Sequence, residues 1–108
     1  MGIVMHRRRS MPLSVANTFS SKTWLVTPDL LGVLNREGYF RGTNPAWQAT
    51  LGFSPEKIEN SKFTDFLHPD DLARSQEAFL VLQTGVPILN FENRFRHKDG
   101  SYRWLSWN

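Results

Sequence analysis

The most reactive-looking run in this 108-residue chain is His68-Pro69-Asp70-Asp71. A histidine beside two carboxylates has the residue types of a metal site or of a general acid–base pair. The same run is also a way to start a helix, because aspartates accept from free backbone amides and favour the positive end of the helix dipole. All four residues are adjacent, and no nucleophile, third catalytic group or phosphate-cradling loop accompanies them. The run is therefore read as capping. Asp65 and Asp70 as a carboxylate pair fail on the same ground. His97 falls at the edge of a hairpin and is expected in solvent. The chain has no cysteine, which removes disulfides, thiolate metal sites and cysteine nucleophiles together. No catalytic residue and no metal ligand is assigned, and the chain by itself is read as non-catalytic.

Composition sets the frame for these side chains. The length suits one domain. Eight Phe, four Trp and two Tyr allow a small sheet-and-helix core, since each aromatic buries a large area. The net charge of +3 comes from the N-terminal stretch, where Arg7, Arg8, Arg9 and Lys22 stand with no acid before Asp29. From Thr23 onward nine basic residues face ten acidic ones, so a nucleic-acid groove is not indicated. No apolar run is long enough to span a bilayer, and no apolar stretch follows the N-terminal arginines as in a signal peptide. Without cysteine, the chain is expected in a reducing, cytoplasmic setting.

The elements that position the candidate residues are legible in order. Residues 1–22 read as a basic leader, disordered or flanking, and 23–108 as the domain. Leu30 to Asn35 reads as a strand, Arg36-Glu37-Gly38 as a turn and Tyr39 to Thr43 as a second strand. Asn44-Pro45 starts a helix that stops at Gly52, with Asn44 as N-cap. Ser54-Pro55-Glu56 repeats the start signal. Phe63 to Leu67 forms a short apolar turn. Residues 71–84 form the longest helix, with Leu72, Phe79 and Leu82 on one face, ended by Gly85 and Pro87. Leu89, Phe91, Asn93 and Phe95 alternate with polar residues as a strand. Asp99-Gly100 is the signal of a two-residue hairpin turn. That turn would pair Phe95 with Trp104, Arg94 with Leu105 and Glu92 with Trp107. The fold class is α+β, an antiparallel sheet with short helices and one longer helix on one face.

Several runs, in this order and spacing, resemble the PAS family from Thr27 to the end. They are Pro28-Asp29-Leu30-Leu31, Gly38, Asn44-Pro45-Ala46 with Leu51-Gly52, Phe66-Leu67-His68-Pro69-Asp70-Asp71, and Phe91 through Lys98-Asp99-Gly100 to Trp104. The last resembles the start of the family's C-terminal PAC motif. The resemblance implies a five-stranded antiparallel sheet in the order B-A-I-H-G, and the His68–Asp71 run as structure. It implies a sensory role in signalling proteins such as sensor histidine kinases of two-component systems or cyclic-dinucleotide enzymes. One more strand is expected after the one begun at Tyr102, between the first strand and the last, so the domain is expected to be truncated at its C-terminus.

The family's pocket lies between helices and inner sheet face, which points to Trp47, Phe66, Phe79, Leu82, Phe91, Asn93, Phe95 and Trp104. Asn93 is a polar group on an otherwise apolar face, and a ligand would give it a partner. The alternative is that these aromatics fill the core. Cysteinyl flavin and cysteine-linked coumarate lack their cysteine, and haem lacks a histidine on the long helix. A non-covalent flavin or a small metabolite stays open. Glu92, Arg94, Leu105 and Trp107 are expected on the outer face as a homodimer interface, with Leu13, Val15, Phe19 and Trp24 able to cover it. The expected partners are thus a second copy and a covalently linked output domain, with no nucleic acid and no membrane insertion. Two readings follow: a sensory input and dimerisation module, or a ligand-free protein–protein interaction module with a filled core.

Overall fold

The computed structural model describes residues 3–6, as backbone, and 21–107. The chain runs through β1 (Ile3–His6), α1 (Ser21–Val26), β2 (Leu31–Leu34), β3 (Phe40–Thr43), α2 (Ala46–Leu51) and α3 (Pro55–Glu59). Two 3-10 turns follow at Phe63–Phe66 and Pro69–Asp71, then α4 (Leu72–Gln83), β4 (Phe91–Arg96) and β5 (Tyr102–Trp107). The strands form two antiparallel sheets among the described residues, in the orders β1-β2-β3 and β4-β5.

Local signals explain most of these boundaries. Gly38 takes φ +91°, and the Asn35 side chain accepts from the amides of Glu37 and Tyr39 to close the β2–β3 turn. Gly52 ends α2 at φ +86° with its N–H on the Gln48 carbonyl. Ser54 caps α3 by accepting from the Lys57 amide.

Asn44 departs from its expected role as a cap. Its side chain accepts from the Leu31 amide and donates to the Asp29 carbonyl, so it pins the entrance of β2 instead. The leader expected over residues 1–22 contains a strand: β1 pairs with β2 from Ile3 opposite Leu34 to His6 opposite Leu31. It takes the edge of β2 opposite β3, the side on which the resemblance implies the final strand. Leu13, Val15 and Phe19 lie outside the described residues. Trp24 of α1 lies against Gly42 of β3, where an added Cβ would sit 3.8 Å from its ring.

Trp47 organises the core. Its ring stacks on Trp107 at 5.8 Å and meets Phe40 and Phe95 edge-on at 5.0 and 6.0 Å. Its indole N–H donates to the Leu31 carbonyl at 2.9 Å. A Cβ at Gly32 would come within 2.9 Å of the same ring, so β2 needs glycine there to let the indole approach. Leu72 is exposed, contrary to the expected helix face. α4 turns Ser75, Ala78, Phe79 and Leu82 toward the sheet instead.

The hairpin register is one residue off the expected one. Phe95 lies opposite Arg103, Arg94 opposite Trp104, Asn93 opposite Leu105 and Phe91 opposite Trp107. The loop is three residues, Lys98-Asp99-Gly100, closed by the Gly100 amide on the His97 carbonyl at 2.9 Å and the His97 amide on the Ser101 carbonyl at 2.7 Å. Gly100 sits at φ +91° as the left-handed residue of such a loop. The Asp99 carboxylate locks it by accepting from the Ser101 amide and hydroxyl. One extra loop residue moves the pairing by one, and a one-residue slip exchanges the faces of β5. Leu105 and Trp107 therefore enter the core, and Trp104 faces out at 61% exposure.

Candidate ligand cavity and docking face

The expected pocket residues divide into three groups. Trp47, Phe66 and Phe95 are buried together, with no water-sized void between them. Trp104 is outside. Phe79, Leu82, Phe91 and Asn93 line a cavity of about 60 Å³ between α4 and the sheet, with Leu34, Phe63, Ser75, Ala78, Ile88 and Trp107. Its walls are apolar and its polar groups are joined: Asn93 Nδ2 donates to Ser75 Oγ at 3.1 Å, and Trp107 Nε1 donates to Asn93 Oδ1 at 2.8 Å. The buried amide thus has protein partners where a ligand was expected to supply one. A void of this size holds a few waters at most, and ligand pockets run to roughly 300–1,000 Å³. Ser75 was missed in the sequence, although it stands four residues before Phe79 and seven before Leu82, the spacing of one helix face.

A second space adjoins the first. Phe63 and Phe79, with ring centroids 4.9 Å apart, also border an open groove of about 310 Å³ lined by Glu37, Lys62, Thr64, Gln76 and Leu80. A bridge between Tyr39 and Lys62 draws these segments together. No sequence spacing announces the groove, because its rim comes from three separate elements.

The His68–Asp71 run is structural, with a division of labour the sequence did not reveal. His68 Nδ1, not an aspartate, caps the turn by accepting from the Asp70 amide at 3.0 Å. Asp71 is buried and caps nothing. Its carboxylate accepts from the Arg94 amide, Nε and Nη2 at 2.8, 2.9 and 2.8 Å, and from Arg74 Nη2 at 3.3 Å. The Arg94 bonds hold the Asp71 carboxyl well below the usual carboxylate range, against the opposing effect of burial. The start of α4 is thereby tied to the middle of β4. Asp65 accepts from the Lys62 amide and so serves its own turn, apart from Asp70. His97 is half-buried beside Gly52 rather than free in solvent, and its Nδ1 accepts from the Asp99 amide. Among the described residues no cluster of three or more His, Cys, Asp or Glu side chains could hold a metal.

The outer face of the β4–β5 hairpin carries Trp104. The Arg94 guanidinium lies 4.7 Å from its ring centroid. Glu92 and Tyr102 are exposed on the same face, and the Tyr102 ring lies 4.7 Å from the His68 ring. Of the four residues expected here, Glu92 and Arg94 face out, whereas Leu105 and Trp107 are 2% and 5% exposed and belong to the core.

Among the described residues no helix is long and apolar enough to cross a membrane. The family model of the PAS fold matches residues 42–108, from the end of β3 through β5. No curated protein matches the chain.

Proposed function

This chain belongs to the PAS family, and from that premise we propose that it is the sensory input and dimerisation module of a bacterial-type signal transducer in the cytoplasm. PAS domains are sensory or interaction modules and are generally non-catalytic. The output is a covalently linked domain, such as that of a sensor histidine kinase or a cyclic-dinucleotide enzyme. Trp104 carries the reading: a large ring 61% exposed on a sheet face, backed by an arginine that Asp71 holds in place. Rigid Trp and Arg side chains at a surface are typical anchors of protein contacts. A second copy docks there, hairpin face to hairpin face, with the exposed Glu92 on the same strand beside Arg94.

Sedimentation velocity of the whole chain and of Trp104→Glu tests this. A dimer lost in the variant is the expected result. A wild type strictly monomeric at high micromolar concentration, or an unchanged dimer in the variant, overturns it. The second reading, a ligand-free interaction module, draws support from the tight packing of Trp47, Phe66 and Phe95. The cavity at Asn93 favours the sensory reading, and titration with small molecules separates the two.

A further inference from the structure

Phe63 and Phe79 belong to two spaces at once. On one side lies the apolar cavity floored by Asn93, Ser75 and Trp107; on the other lies the open groove with Glu37, Lys62, Thr64 and Gln76 on its rim. The aromatic pair is the wall between them. Its two members are held differently. Phe63 is 6% exposed, its amide donates to the Gly38 carbonyl at 3.0 Å, and its ring packs against Gly38. Phe79 is only half-buried, on a helix that buries little else than Ser75. A rotation of Phe79 joins the groove to the cavity.

The rim of the groove carries one charge of each sign. No ion pair joins Glu37 to Lys62, and Lys62 Nζ stands 5.3 Å from the Tyr39 ring centroid. The cavity beyond the wall is lined by no charged side chain. Burying an ionised group there without a partner is costly, so a charged head stays at the rim and only an apolar tail passes Phe79. A head of one sign would meet its like charge on the rim, whereas a head carrying both signs satisfies Glu37 and Lys62 together.

We propose that groove and cavity form one binding site for a free α-amino acid with an apolar side chain, gated by Phe79. The proposal rests on the sensory reading above and gives that sensor its ligand class. The ammonium pairs with Glu37 and the carboxylate with Lys62. Thr64 and Gln76 offer further hydrogen bonds, and an aliphatic side chain enters the cavity through the space that the turned Phe79 ring vacates.

Titration of the full chain followed by its ¹⁵N amide and indole resonances tests the proposal. The ligands are L-leucine, leucine amide, which lacks the carboxylate, and 4-methylpentanoate, which lacks the ammonium. Leucine is expected to shift resonances of Phe79, Asn93 and the Trp107 indole, with each single-charge analogue at least tenfold weaker. Lys62→Met and Glu37→Gln, both at the surface and checked by near-UV circular dichroism, are each expected to weaken leucine tenfold or more. Lys62→Met is also expected to erase the preference for leucine over its amide. Phe79→Ala is expected to shift the preference toward larger side chains. Equal binding of 4-methylpentanoate and leucine, unchanged affinity in both rim variants, or no response to any amino acid overturns the proposal. If self-association remains sensitive to Trp104→Glu in that last case, the docking module stands and only the ligand class falls.

Discussion

Trp104 stands opposite Arg94 across the β4–β5 hairpin, and the guanidinium beneath its ring is the one that closes on Asp71. A surface indole, a strand and the start of the long helix are thereby linked by one side chain. The link separates two tryptophans three residues apart in sequence, one at the surface and one in the core.

Trp104→Ala is expected to leave stability within about 0.5–1 kcal/mol, the scale of a surface change that loses one exposed cation–π contact. Trp107→Ala is expected to cost about 3–5 kcal/mol, because it empties core volume and removes the indole bond to Asn93. Urea denaturation of both variants checks the order. Similar costs, or the reverse order, would contradict the register and the faces it assigns.

Asp71 gives acid sensitivity a definite sign. Its folded-state pKa lies below its unfolded value. The stability it contributes is therefore fully present above the ordinary carboxylate range, and is lost as the pH falls below that range toward the folded value. Asp71→Asn is expected to lower stability at pH 7 by about 2–3 kcal/mol, since the Arg94 side chain loses its charge-assisted bonds. The variant is also expected to show a shallower loss between pH 5 and pH 3 than the wild type, in proportion to the removal of this group. Thermal melts of both proteins across that range check it, and parallel curves would refute the assignment.

Two glycines with positive φ are expected to respond differently to alanine. Gly100 at φ +91° has no atom within 4 Å of an added Cβ, so Gly100→Ala carries the left-handed backbone cost alone, about 1–2 kcal/mol. Gly52 at φ +86° adds contacts of 3.1 Å to the Lys98 Cβ and 3.3 Å to the His97 ring. Gly52→Ala is therefore expected to be the more damaging, and to perturb the loop after β4 as well as the end of α2. Denaturation midpoints of the two variants, side by side, decide the ranking.

Asn93→Leu is expected to cost about 1–3 kcal/mol, because it leaves the Trp107 indole N–H in the core without its acceptor. The Trp107 indole proton, protected from exchange in the wild type, is expected to exchange much faster in the variant. An indole that stays protected would place its partner elsewhere.

Much of the fold was written locally. Asn35 to Gly38, Leu51-Gly52, Ser54-Pro55 and Gly85 each set a boundary through backbone preferences that act within a few residues, and the elements begin and end within a residue or two of those signals. Period-two alternation marked β4 and β5, and the ordered runs marked the PAS family. The sequence by itself also determined that Asn93 is a polar group directed into an apolar interior.

The tertiary structure decided the rest, for reasons that act across the chain. Asp-Gly fits both a two-residue and a three-residue loop, and the three-residue loop is the one whose register puts Leu105 and Trp107 in the core with Trp47 and Phe95. Asp71 was free to cap its own helix, but an arginine twenty-three residues later offers three hydrogen bonds and takes it. Asn44 likewise leaves its helix for the entrance of β2. The groove beside Phe79 draws Glu37, Lys62 and Gln76 from three elements, and only the packing of those elements on one another sets them around a common space.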